Sequence, residues 1–256
     1  RVYVEPFGGA ASVLMRKPRA NVEFYNDADG EIVNLFRVLR DHGAELERRL
    51  RLTPFARAEF EASYEPTDDP IERARRTVVR AQMGFGTSAL VRTKTCFRRT
   101  SHRNKKTGYA TDWAEYPDVL PAIVERLRGV CIEQADAREL IPMLDGPDVL
   151  FYVDPPYVHA TRGKVSGSSG YAHEMTDDDH RALAAILRSL KGMVVLSGYP
   201  CPLYDEELYP DWHREERRTH AQGQRGYDWR TEVLWMNDAA SSRLSPTLFG
   251  SVTEVA

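Results

Sequence analysis

Hydrophobic and polar positions change along the chain between short apolar runs and longer amphipathic stretches. The apolar runs are rich in β-branched and aromatic residues, and we interpret six of them as strands: Val2–Val4, Asn21–Tyr25, Val130–Gln134, Val149–Val153, Met193–Ser197 and Glu232–Met236. Val149–Val153 is apolar at every position, which is typical of a strand buried on both faces in a parallel sheet. The pattern therefore predicts an α/β fold with a parallel sheet.

Apolar residues also recur at helical spacing between these runs. We expect helices around Ile32–Leu39, over Phe55–Tyr64, over Ile71–Gln82, over Tyr116–Leu127 and up to Leu190. Asp29 stands where it would cap the first of them. Thr176, followed three residues later by Asp179, makes a capping pattern for the last one. These helices alternate with the strands, which agrees with the α/β interpretation.

The stretch between the first helix and the fourth strand is too long for the core alone. Three β–α units need about 30 residues each, and the span Ala11–Asp154 is longer than that. We therefore expect an inserted subdomain at residues 43–128, between a first part of the core at 1–42 and a second part at 129–238. Residues 239–256 show no clear pattern and are expected to form a tail.

Composition narrows the class of protein. The 256 residues are 42% hydrophobic and carry a formal net charge of −3, so the chain has enough apolar residues for a core and no overall basic character. Its three cysteines are widely spaced and form neither a metal motif nor a redox motif. No apolar run approaches the length of a membrane span. We expect a soluble, cytoplasmic monomer without a bound metal or a membrane partner.

A glycine-containing turn follows the first strand and leads into a helix. Its residues are Glu5, Pro6, Phe7, Gly8, Gly9, Ala10 and Ala11. Glycines let the backbone approach a ligand closely, and a helix start offers free amides, so this form is typical of a cofactor loop. A plain tight turn without a ligand would have the same sequence form.

Acidic residues follow the second and third strands. Asp27 comes about twenty residues after the glycine turn, where an acidic residue commonly binds the hydroxyls of a ribose. Asp136 follows the third strand at the same edge of the predicted sheet, where it could accept a hydrogen bond from the amino group of a bound adenine ring. Either carboxylate could instead cap the helix that follows it.

The stretch Asp154-Pro155-Pro156-Tyr157 ends the fourth strand. Open α/β sheets bind ligands at the carboxyl ends of their strands. The Asp154 carboxylate and the Pro155 carbonyl could each accept one hydrogen of a planar amine. Tyr157 could stack on the ring that carries that amine. The alternative is a strand end followed by a proline turn, with Asp154 capping a neighbouring group.

A basic segment lies within the predicted insertion, with aromatic residues among its cations. The cations are Arg92, Lys94, Arg98, Arg99, Arg103, Lys105 and Lys106. We predict that they contact the phosphates of a nucleic acid, with the loop His159–His173 completing that surface. A solvated run of charges would look the same. The helix with Arg73, Arg76 and Arg80 is the alternative surface.

These motifs, in this order, resemble the DNA adenine methyltransferases, which modify the exocyclic amino group of adenine. The chain looks most like the GATC-type adenine methylases of bacteria and phages, in which the recognition segment lies between the cofactor turn and the catalytic motif. The turn motif and the Asp-Pro-Pro-Tyr motif carry the resemblance together, and it spans Tyr3 to about Asn237.

The resemblance implies a Rossmann-like methyltransferase sheet with an inserted, mainly helical target-recognition subdomain. It implies S-adenosylmethionine as the cofactor, held by the Glu5–Ala11 turn, by Asp27 and Asp136, and beside Asp154. It implies double-stranded DNA as the partner, with the target adenine flipped out of the duplex. The catalytic residues would be Asp154, Pro155, Pro156 and Tyr157, the first two holding the amine and the tyrosine stacking on the base.

Two features depart from this family. A glycine-lysine motif that usually precedes the first strand is not among these residues, and Ala11 stands where many relatives carry glycine. Two other functions stay open at this point. The chain could methylate an amine in RNA or in a protein, or it could bind DNA or cofactor without turnover.

Overall fold

The computed structural model describes residues 1–84, 95–98, 108–161, 173–223 and 226–244. It has a mixed α/β fold with a seven-stranded sheet. The strands are β1 (Val2–Glu5), β2 (Val22–Asn26), β3 (Val130–Glu133), β4 (Val149–Val153), β5 (Met193–Gly198), β6 (His213–Gly223) and β7 (Gly226–Met236).

Helices alternate with these strands. They are α1 (Ser12–Arg16), α2 (Gly30–Leu52), α3 (Arg57–Ala62), α4 (Pro70–Met83), α5 (Tyr109–Glu115), α6 (Leu120–Leu127), α7 (Ala137–Met143), α8 (Asp177–Ser189) and α9 (Asp238–Ser241). Short 3₁₀ helices occur at Tyr116–Val119 and His159–Thr161, and a π-helical turn at Leu203–Leu208. None of the helices in the described ranges is long and apolar enough to span a membrane.

The chain divides into two compact units. The first contains the described residues of Arg1–Pro6, Arg138–Gly163 and Met175–Ala256. Its strands lie in the order β1, β4, β5, β7, β6. β1, β4 and β5 are parallel, whereas β7 is antiparallel to both of its neighbours. Phe151 and Val153 are fully buried, which agrees with the prediction that this apolar run is a central strand.

The second unit contains the described residues of Phe7–Ala137 and Lys164–Glu174. Here β2 and β3 form a parallel pair, and α2 packs along α4 and α6. Asp29 caps α2 by accepting a hydrogen bond from the Glu31 amide at 2.9 Å, as its position before the apolar helical pattern predicts. The long helix is kinked at His42, where φ is −135° and ψ is 28°.

The strand and helix predictions are confirmed where the apolar pattern was strong. The capping box of α8 is present in full, because Thr176 and Asp179 bond reciprocally. β6 was missed, since its sequence runs through charged and polar residues and lacks an apolar face. The short α9 lies at the start of the stretch predicted to be a tail. The division into a core and an insertion at residues 43–128 stays a prediction.

Candidate active site

The turn after β1 contains two residues with left-handed backbone conformation. Gly9 has φ 48° and Ala11 has φ 54°, a region that glycine adopts without strain and other residues seldom adopt. The turn is closed by the Gly8 amide, which donates to Asn26 O at 2.8 Å, and by the Ala11 amide, which donates to Gly8 O at 2.7 Å. The glycine turn is therefore joined to the end of β2.

Tyr25 supports this turn from one side. A Cβ added at Gly8 would come within 2.1 Å of the Tyr25 ring, so the close packing admits only glycine there. The Tyr25 hydroxyl donates to Gly9 O at 2.7 Å. A Cβ built at Gly9 would meet nothing within 4 Å. The turn is thus packed on the tyrosine side and leaves open space over Gly9, which suits a bound ligand.

Asp27 joins the same turn through both carboxylate oxygens. Oδ2 accepts from the Gly9 amide at 2.8 Å, and Oδ1 accepts from the Asp29 amide at 2.8 Å. Burial raises the pKa of Asp27, and these two hydrogen bonds lower it in part. A carboxylate oxygen has further lone pairs, so these contacts leave capacity for a ligand hydroxyl. The binding role of Asp27 stays a prediction, and its support of the turn was not foreseen.

Asn26 links the ends of β2 and β3. Its side-chain amide donates to Ala135 O at 3.1 Å and accepts from the Ala135 amide at 2.9 Å. The side chain is fully buried. This pair fixes the chain immediately before Asp136, which is exposed at the start of α7. Sequence reasoning treated Asn26 only as the strand end, because its partner lies more than a hundred residues away.

Asp154 follows β4 and is largely buried. Its pKa is raised from 3.8 to about 6, chiefly by burial and also by the nearby Glu232 carboxylate. Hydrogen bonding by Tyr157 and by Ser197 lowers the pKa in part. Within the part of the chain that the structure describes, Asp154 Oδ1 is buried and has no hydrogen-bond partner. A buried carboxylate oxygen without a donor is costly, so it is an acceptor suited to a ligand.

Pro155 gives a second acceptor after Asp154, and two aromatic rings, from Tyr157 and Tyr199, lie against each other. No hydrogen bond from the described residues ends on the carbonyl of Pro155, as its place in a proline pair predicts. The Tyr157 and Tyr199 rings lie edge to face, with centroids 4.6 Å apart and planes at 70°. Tyr199 was not foreseen, because it follows β5 and reaches Tyr157 only through the parallel pairing of β4 and β5.

The basic segment is described only in part. Arg92, Lys94, Arg99, Arg103, Lys105 and Lys106 lie outside the described residues, as does most of the loop His159–His173. Arg98 donates to Gly84 O at 2.5 Å and lies over the Tyr109 ring at 5.5 Å. These contacts hold Arg98 against its own chain, and its role in DNA binding stays a prediction.

The arginines of α4 make contacts within the protein. Arg73 pairs with Glu31 at 2.6 Å, and Arg76 pairs with Glu72 at 2.8 Å. Arg80 donates to a backbone carbonyl and is largely buried. These contacts hold the three guanidinium groups against the protein, and the role of α4 as the alternative phosphate surface stays a prediction. Among the described residues, no group of three or more His, Cys, Asp or Glu side chains could hold a metal ion.

The acceptors at Asp154 and Pro155, which have no hydrogen-bond partner among the described residues, suit chemistry on a planar amine. The mixed α/β sheet agrees with the methyltransferase class. The family model for the D12 class N6 adenine-specific DNA methyltransferases matches residues 1–225, so the chain belongs to this family. It is a site-specific, adenine-modifying transferase with a Rossmann-like sheet. A search of the curated proteins found no match.

The raised pKa of Asp154 predicts how transfer depends on pH. The predicted role of Asp154, to accept a hydrogen bond from the target amine, needs the ionised carboxylate. The transfer rate should therefore fall as pH drops through about 6, by about tenfold for each further pH unit. Stability should change in the opposite sense. Because the folded-state pKa is raised, protonated Asp154 stabilises the fold below the unfolded value of 3.8, and that contribution is lost as pH rises through about 6.

Single-turnover rates between pH 5 and 8 would test the pH dependence of transfer. Urea denaturation of the wild type and Asp154→Asn at the same pH values would test the pH dependence of stability. A rate that stays constant down to pH 5 would contradict the assignment of Asp154 as the acceptor.

Proposed function

We propose that this enzyme takes the methyl group from S-adenosylmethionine and places it on the N6 amine of an adenine turned out of duplex DNA. The observation that carries the proposal is a pair of acceptors in one short stretch, Asp154 Oδ1 and the Pro155 carbonyl, neither of which has a hydrogen-bond partner among the described residues. Two acceptors on one amino group draw its nitrogen lone pair out of conjugation with the ring. The amine thereby becomes a better nucleophile.

The turn and Asp27 fit the proposed cofactor. The open space over Gly9 lets a ligand approach the backbone, and the Asp27 carboxylate is an acceptor that suits ribose hydroxyls. We propose that Glu5–Ala11, Asp27 and Asp136 hold S-adenosylmethionine, which supplies an activated methyl group when bound. The chain's own part is to orient the amine, to exclude water and to stabilise the positive charge that develops on the amine nitrogen as it is methylated.

The target adenine must leave the duplex, because its amine is shielded by stacking and pairing inside DNA. Tyr157 lies beside Asp154, and its ring packs edge to face against the ring of Tyr199. We propose that Tyr157 stacks on the extruded ring, as aromatic residues do with single bases. Hydrogen bonding between Tyr157 and Asp154 also ties the stacking residue to the residue that holds the amine.

A transfer assay tests this function. Purified protein would be incubated with tritiated S-adenosylmethionine and, in separate reactions, duplex DNA, RNA and a protein extract. Label at adenine N6 of duplex DNA is expected, and a 2-aminopurine at the target position should brighten on binding as it leaves the stack. Label confined to RNA or protein would contradict the proposed substrate. A donor that does not bind at millimolar concentration in calorimetry would contradict the proposed cofactor.

We also propose that the basic segment binds the phosphates around the target. Replacing Arg98, Arg99 and Arg103 with glutamine should flatten the salt dependence of DNA binding, since each lost phosphate contact lowers the slope of log affinity against log salt by about 0.9. Donor affinity should stay unchanged. Binding would be measured by fluorescence anisotropy at several salt concentrations.

Arg181→Gln is the matched control for that measurement, because Arg181 pairs with Asp178 and Glu207 on another part of the chain. The control should keep the wild-type slope. A triple variant with the wild-type slope would place the phosphate contacts elsewhere.

A further inference from the structure

Ser197 occupies the position on β5 that corresponds to Asp154 after β4. The two strands are parallel, and Val153 pairs with Leu196, so the next residue on each strand is Asp154 and Ser197. Tyr152 pairs with Val195 in the same register. Because side chains alternate between the faces of a sheet, Tyr152, Asp154 and Ser197 share one face. Ser197 is 6% exposed, which places its hydroxyl inside the protein.

The register places the Ser197 hydroxyl beside Asp154 and Tyr152 on one face of the sheet. Burial raises the pKa of both groups, and the serine hydroxyl opposes that rise at each of them. An ionised carboxylate only accepts hydrogen bonds, so toward Asp154 the serine must donate. The buried Ser197 hydroxyl is therefore a donor available to the Asp154 carboxylate.

Among the residues that the structure describes, no cation shifts the pKa of Asp154. Glu232 faces it from β7 and opposes its ionisation. Burial raises the pKa of Tyr204 in the π-helical turn, and the Asp154 carboxylate adds to that rise. Burial likewise raises the pKa of Tyr152, and the carboxylates of Asp154 and of Glu5 in β1 add to it. With burial and a second carboxylate working against the charge, hydrogen-bond donors are what favours the ionised form. In the described part of the chain, Ser197 and Tyr157 are the two hydrogen-bonding side chains that lower the pKa of Asp154.

We infer that Ser197 is a positioning residue for methyl transfer, which holds the Asp154 carboxylate so that its free oxygen meets the target amine. The inference rests on the proposed function of Asp154 and adds a residue that acts through it. Ser197 contacts neither base nor cofactor in this assignment. Its removal should therefore affect the turnover rate and its pH profile, and leave the affinity for the methyl donor as it was.

Ser197→Ala and Ser197→Thr would separate this role from packing. We expect Ser197→Ala to lower the single-turnover rate at pH 7.5 by about tenfold, the effect of one lost hydrogen bond to a charged group. The acid limb of its pH–rate profile should move to higher pH. Ser197→Thr retains a hydroxyl and should recover most of the rate. Ser189→Ala is the matched control, since the exposed Ser189 hydroxyl donates to Ile186 O of its own helix.

A readout without catalysis completes the test. Carboxyl-carbon NMR of aspartate-labelled protein, with the Asp154 signal assigned from Asp154→Asn, gives the pKa of Asp154 in the absence of DNA. A higher pKa in Ser197→Ala than in the wild type is expected. If Ser197→Ala kept the wild-type rate, pH profile and Asp154 pKa while Asp154→Ala was inactive, the inference about Ser197 would be overturned and the proposed function of Asp154 would stand. Full activity in Asp154→Ala would instead overturn the proposed function of Asp154.

Discussion

Asp154→Ala is expected to lower the rate of methyl transfer by about a thousandfold or more, while donor affinity stays within a few-fold. Groups that act on the reacting atoms contribute about this much to enzyme rates. The substitution removes the buried oxygen that has no other partner among the described residues, so the amine loses one of its two acceptors. Single-turnover transfer to duplex DNA and calorimetry with the donor would measure the two effects separately.

Asp154→Asn gives a finer version of the same test. The amide keeps an acceptor oxygen and loses the charge, so we expect a rate between those of the wild type and the alanine variant. Asp68→Asn is the matched control, because Asp68 is an exposed carboxylate outside the site. Near-normal turnover in Asp154→Ala, in a protein that melts at the wild-type temperature, would show that another group holds the amine.

Asp27→Ala should have the opposite signature, with donor affinity reduced by about tenfold or more and the transfer rate at saturating donor much less affected. The change leaves the Gly9 and Asp29 amides without their acceptor, and an unsatisfied, partly buried amide costs about 1–3 kcal/mol. The open turn would then relax before a ligand could bind. Calorimetry across a range of donor concentrations would give the dissociation constant.

Asp29→Ala is the control for that result, since Asp29 caps α2 and its backbone amide remains available to Asp27. Losing this cap should cost about 1 kcal/mol of stability and leave donor affinity within twofold. If both variants weakened donor binding equally, the effect would come from the start of α2 and not from the Asp27 carboxylate.

Local patterns in the sequence were enough for much of the fold and for the motifs of the site. The apolar run of β4, the prolines that follow it and the small residues of the turn each act through neighbours in the chain. The same holds for Asp29 and for the Thr176–Asp179 capping box, whose partners lie two or three residues away. Caps and strand ends depend on short-range hydrogen bonds, and these can be read from spacing.

Tertiary structure alone decided which side chains support the site. Asn26 meets Ala135, and Tyr25 closes under Gly8, only after β2 has paired with β3 and the turn has folded back. Ser197 and Glu232 come near Asp154 through the pairing of β4, β5 and β7. β6 is a strand because β7 offers it a hydrogen-bonded edge, although its own sequence is polar.

The difference has one physical cause. A residue type and its immediate neighbours set local backbone geometry, so the carboxylate at a strand end and the glycine in a turn are visible in the sequence. The charge state and orientation of that carboxylate depend on burial and on donors that other strands bring to it. The sequence by itself therefore pointed to the residues that we propose hold the amine. The sheet decided that Asp154 has a raised pKa, Ser197 beside it and one oxygen without a partner among the described residues.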